Sequence, residues 1–120
     1  MRNLFLKYLD EHHISYDASN PSVVSFTYRE LNFLMIYDSN DDPNYIRFCL
    51  PDVEPSAIDD SIREKMLRIN SLFKVAKVIE MNHQVWITGE SFIYNYVSVQ
   101  SLFDRMLSLL YNVITEYRQQ

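Results

Sequence analysis

The chain has 120 residues, a formal net charge of −5 and 48% hydrophobic residues, which is the length of one domain (1–120) with ample apolar content for a core and excludes a disordered polypeptide. Its 11 lysines and arginines lie scattered among 16 acids, which excludes the basic stripe of a nucleic-acid binder. One cysteine, Cys49, excludes an internal disulfide and fits a reducing compartment.

The first predicted element is a helix over 3–13. Leu4, Phe5, Tyr8, Leu9 and His12 fall on one face, with Asn3 as its N-cap. Ile14-Ser-Tyr16 continues as a short extended piece, and Asn20-Pro21 marks a turn. SVVSFTY, 22–28, alternates Val24, Phe26 and Tyr28 against Ser25 and Thr27, the period of a strand. Arg29-Glu30 reverses the chain into LNFLMIY, 31–37. The polar loop YDSNDDPNY then leads to the strand YIRFCLP, 45–51, where Ile46, Phe48 and Leu50 face away from Tyr45, Arg47 and Cys49.

PDVEP, 51–55, ends this run of strands. Ser56 with Asp59 has the spacing of a capping box, and Ile58, Ile62, Met66, Ile69 and Phe73 form the apolar stripe of a second helix. Asp59–Arg63 and Glu64–Arg68 are spaced as ion pairs on its wet side. KVAKVIEM, 74–81, and QVWITGESFI, 84–93, flank Asn82-His83 as a hairpin, and Gly89 signals a bulge or a close backbone approach. A third helix spans about 98–118, capped by Ser98 or Ser101. The order α-β-β-β-α-β-β-α, with hairpin connections, predicts a two-layer α+β fold: an antiparallel sheet of about five strands with three helices.

A sheet covered on one side should alternate apolar with polar. Here Phe33, Met35 and Tyr37 oppose Leu34 and Ile36, and Val75, Ile79 and Met81 oppose Ala76 and Val78, so both faces carry apolar residues. Either a further helix covers the second face or a partner does.

No residue group dictates a chemistry. Gly89 is the only glycine, so phosphate-cradling loops and nucleophile elbows are ruled out. Asp38, Asn40 and Asp42 open like a calcium loop, but Pro43 stands where glycine is required and Cys49 where a bidentate glutamate is required. His12 and His13 are adjacent and His83 sits at a hairpin tip, which does not converge on a metal. Cys49 reads as a buried strand residue. No catalytic residue, metal or cofactor is expected. The chain opens with MRNLFLKYLDEHH, charged within ten residues, and nowhere runs 18 consecutive apolar residues. A soluble cytoplasmic protein without membrane contact is expected.

Aromatic residues are plentiful, and Tyr45, Trp86, Tyr94 and Tyr96 are the candidates for a partner-binding surface, since Tyr and Trp dominate interface hot spots. The element order, with LRINSLFKVAKVIEMNHQVWITGE as its most similar stretch, resembles the YbjN-type family of small bacterial domains. These are described as sensory transduction regulators and share the fold of type III secretion chaperones. The resemblance implies a non-enzymatic, chaperone-like domain, commonly a homodimer, that binds another polypeptide. The residues themselves leave a second reading open, a small-molecule-binding or enzymatic α+β domain with a pocket between helix and sheet. The surplus of tyrosines motivates it.

Overall fold

Two hairpins with two-residue turns, at 29–30 and 82–83, supply four of the six strands of the sheet. The computed structural model describes residues 2–38, 44–93 and 98–120. In order they form α1 (Arg2–Glu11), β1 (Tyr16–Asp17), β2 (Val23–Tyr28), β3 (Leu31–Asp38), β4 (Asn44–Leu50), α2 (Asp60–Leu72), β5 (Ala76–Met81), β6 (Gln84–Ile93) and α3 (Val99–Gln119). The fold is α+β, with three helices on an open antiparallel sheet in the order β1-β2-β3-β4-β6-β5. The sheet has six strands rather than five. The piece expected at Ile14–Tyr16 pairs as β1, with Tyr16 opposite Phe26 and Asp17 opposite Ser25.

The two tight hairpins share one solution. Arg29 and Glu30 have φ of 50° and 65°, and Asn82 and His83 have φ of 51° and 64°, the positive values that a type I′ connection demands. Residues 39–43 lie outside the described residues; β3 and β4 on either side of them pair antiparallel from Asp38↔Tyr45 to Leu34↔Cys49.

The helix boundaries correct several expectations. Helix α1 begins at Arg2, so Asn3 lies within it rather than capping it. It ends at Glu11, two residues early, because His13 takes φ of 55° and the Ile14 N–H reaches back to the Leu9 carbonyl at 2.9 Å. The cap of α2 is Asp59, not Ser56. Its carboxylate accepts from the Ile62 N–H at 2.9 Å, while the Ser56 N–H donates to Glu54. Arg63 therefore pairs with Asp60 and, across to β5, with Glu80 at 3.3 Å instead of with Asp59. Arg68 donates to Gln120 rather than pairing with Glu64. Ser98 caps α3, accepting from the Ser101 N–H.

One sheet face meets the helices. Val24, Phe26, Phe33, Met35, Ile46, Phe48, Leu50, Ala76, Val78, Val85, Ile87 and Ile93 point to that side and join Phe5, Leu9, Ile69, Phe103, Leu107 and Leu110 in a single buried cluster. Phe103 is its hub, with ring centroids 5.2 Å from both Phe5 and Phe48 and a stacked contact with Tyr8 at 4.2 Å. Gly89 lies on this face without a bulge, since the β4 register runs unbroken through it, opposite Phe48, and on the other side it pairs with Ala76, the first residue of β5. Its role is close approach, as a Cβ there would stand 3.2 Å from Met106 Sδ.

Candidate interaction face

The strand residues of opposite parity form a second face that, among the described residues, no helix covers. Val23 of β2, Leu34 and Ile36 of β3, Tyr45, Arg47 and Cys49 of β4, Trp86, Thr88, Glu90 and Phe92 of β6, and Lys77, Ile79 and Met81 of β5 share it by register. The buried cluster and the half-buried residues packed on it draw on the other face. The sheet is thus two-layered with one side open. The apolar residues that parity placed on both sides of β3 and β5 are divided between core and surface.

The face has a polar sector and an apolar one. Outward positions near β1 are Asp17, Ser25, Thr27 and Asn32, and Thr27 Oγ1 donates to Asn32 Oδ1 at 3.2 Å. From β3 to β5 the outward positions are mainly apolar, with Phe92 51% exposed. Tyr45 lies opposite Phe92 with ring centroids 5.8 Å apart, edge to face.

One ion pair crosses the apolar sector. Arg47 faces Glu90 across β4 and β6, Nε to Oε1 at 3.1 Å, with side chains 33% and 45% exposed. The Nε is buried, and its N–H is not aligned for a hydrogen bond to that carboxylate despite the short distance. Arg47 Nη2 donates to the Tyr45 hydroxyl at 3.4 Å. Burial and a hydrogen bond with Glu90 push the Tyr45 phenol up from its ordinary value, so it stays protonated and neutral. Half-exposed pairs of this kind stabilise a fold by about 0–1 kcal/mol, so stability is a weak reason for a charge pair among apolar neighbours.

The sequence candidates fall unevenly on this surface. Tyr45 and Trp86 both lie on it, but toward opposite ends. Trp86 is six residues from Phe92 along β6, a span of about 20 Å. The Trp86 Nε1–H donates to Gln84 at 2.9 Å. Tyr94 and Tyr96 lie outside the described residues. Phe92, Ile36 and the Arg47–Glu90 pair are additions that the candidates missed. The alternation Trp86, Thr88, Glu90, Phe92 could have found the first, whereas the pair depends on β4 lying beside β6.

Two further polar groups lie away from the open part of this face. Cys49 is fully buried, and burial pushes its thiol up to about 11, so the thiolate is scarce at neutral pH. Glu54, in the linker after β4, is nearly buried. Its Oε1 accepts from the Tyr117 hydroxyl at 2.7 Å and lies 3.7 Å from Lys65 Nζ, and the Lys65 ammonium sits 3.9 Å over the Tyr117 ring. Burial raises the Glu54 carboxyl, but the bonds from Tyr117 and Ser56 and the Lys65 charge outweigh it and hold the carboxyl below its ordinary value. This cluster ties the linker to α2 and α3 beside a surface groove of about 570 Å³. Between the helices and the sheet, where a ligand pocket would have to open, Phe5, Phe48, Phe103 and Leu110 are fully buried and packed together.

Among the described residues, no helix is long and apolar enough to cross a membrane. No protein-family model matches the chain, and no curated protein matches it.

Proposed function

We propose that this chain is a non-enzymatic protein-binding domain and that its helix-free sheet face is the working surface. One observation carries the reading: apolar side chains on four adjacent strands, β3 to β5, face outward where no helix packs. Exposed apolar patches of this kind mark interaction sites. Tyr45, Trp86 and Phe92 supply the aromatic anchors that interfaces favour, and an open antiparallel face suits an extended or sheet-like polypeptide. The resemblance to the YbjN-type family supports the same class of function, that of a chaperone-like bacterial domain working in the cytoplasm, commonly as a homodimer.

The test is binding of the folded chain to a library of short peptides, compared with Ile36→Asp and Phe92→Asp. Each variant places a carboxylate on the face without touching the core. Loss of binding by more than about tenfold, with unchanged circular dichroism, is the expected result. Peptide binding that both variants retain would move the working surface elsewhere.

A further inference from the structure

We propose that the groove beside the linker binds a small monocarboxylic acid, with its carboxylate on Lys65 and Arg118 and its apolar body against Val53 and Pro55. The site is separate from the open sheet face and does not depend on the reading of that face.

Lys65 carries the inference. Its side chain is 16% exposed, and Nζ lies 3.7 Å from Glu54 Oε1, an ion pair beyond hydrogen-bond length. The Tyr117 ring at 3.9 Å offers the ammonium a π face rather than a lone pair. An ammonium has three N–H donors. None of them meets an acceptor at hydrogen-bond distance among the described residues, yet Nζ is not sealed from solvent. A largely buried cation with donors to spare favours an anion that can reach it. Lys65 lines the groove of about 570 Å³ through which one would arrive.

Glu54 positions this cation without exhausting it. Its Oε1 already accepts from the Tyr117 hydroxyl at 2.7 Å, and its Oε2 accepts from the Ser56 N–H at 3.2 Å. The carboxylate therefore holds the ammonium from one side and leaves the remaining donors to the groove. Arg118, directly after Tyr117 in the last turn of α3, lines the same groove. No ion pair engages it among the described residues. Its planar fork suits a carboxylate.

The walls are set before any ligand arrives. The Val53 N–H donates to the Val85 carbonyl of β6 at 2.9 Å, and Asp52 turns the chain with φ of 49°. Val53 and Pro55 of this anchored linker supply the apolar lining. A preformed site avoids the ordering cost of binding. Charge selects the kind of acid. Lys65 and Arg118 stand against Glu54 and Asp52, so the groove is formally neutral. A monocarboxylate brings one negative charge to two cations. A phosphate group brings close to two, beside two carboxylates.

Titration of the full chain with benzoate, followed by amide proton–nitrogen correlation spectra at neutral pH and constant ionic strength, tests this. The expected result is saturable shifts at the Val53, Glu54, Lys65 and Arg118 amides with Kd below about 10 mM. Benzamide, neutral and of the same shape, should bind at least about tenfold more weakly. Lys65→Met keeps an apolar stem beside Tyr117 and should abolish the saturable shifts, with circular dichroism checking its fold. Arg118→Gln, at an exposed position, leaves folding aside and should weaken benzoate about three- to tenfold. No saturable shift with benzoate, an equal response to benzamide, a folded Lys65→Met that still binds, or full affinity in Arg118→Gln overturns the proposal. Inorganic phosphate binding more tightly than benzoate at the same amides overturns the carboxylic acid as the ligand class.

Discussion

The side-chain amide of Asn70 hydrogen-bonds both main-chain groups of Val78: Nδ2 donates to the carbonyl at 2.9 Å, and Oδ1 accepts from the N–H at 2.6 Å. Helix α2 thereby closes part of the outer edge of β5, where an unpaired strand would invite another chain. Asn70→Ala removes both bonds, and the expected cost is about 1–3 kcal/mol at chemical denaturation. Hydrogen exchange at the Val78 amide should accelerate in parallel. An amide still protected in the variant would mean that other groups close this edge.

Val75 offers a gain. It has φ of 74°, and the Ala76 N–H donates to the Lys74 carbonyl at 2.8 Å across it, a γ-turn of the rare, strained hand. A β-branched residue there costs about 1–3 kcal/mol, and with the residue 63% exposed its side chain contributes little packing in return. Glycine relieves the strain at an entropic cost of about 0.5–1 kcal/mol. Val75→Gly should raise the melting temperature; a lower one would show that the side chain packs more than its exposure indicates.

Acid should loosen the Glu54 cluster. The carboxyl is held below its ordinary value in the folded chain and titrates normally when unfolded. Its stabilising contribution is therefore complete above about pH 4.5 and is lost as pH falls through the folded value. Glu54→Gln leaves Lys65 without its counter-charge and should cost about 1–3 kcal/mol at neutral pH. The gap from wild type should narrow near pH 3. Urea titrations at the two pH values check this, and an equal gap at both would assign the loss to packing rather than charge.

Gly89 sets a size limit. A methyl group there meets Met106 Sδ at 3.2 Å and Leu110 Cδ2 at 3.5 Å. The thioether can shift by a few tenths of an ångström, and alanine also narrows the unfolded ensemble. Gly89→Ala should change stability by less than about 1 kcal/mol, whereas Gly89→Val should cost about 1–3 kcal/mol through overpacking. Equal stability for the two would mean that α3 stands farther from the sheet at this point.

The element order was readable because the hairpins carry local signals. Strand parity and Asn82-His83 need no distant partner to be recognised. The misread details are those where equivalent local signals compete. Ser56 and Asp59 both suit a cap, and it is Asp59 whose carboxylate accepts from the Ile62 N–H. Parity also showed that β3 and β5 have two apolar faces. Which face the helices cover is set by how Met35, Phe48 and Gly89 line up across three strands. The Arg47–Glu90 pair was hidden for the same reason, since its partners meet only through the non-consecutive pairing of β4 with β6.

That pairing also has a kinetic consequence. Strands β1 to β4 can zip from one turn to the next, and β5–β6 closes around its own hairpin. The β4–β6 seam spans the linker, α2 and β5, so it carries the largest loop-closure entropy in the sheet and should form late. Tyr45 meets Phe92, and Arg47 meets Glu90, along that seam. Neither half of the nascent sheet displays the assembled surface by itself. A chain still emerging from synthesis therefore keeps this face in two incomplete pieces until most of β6 has been made.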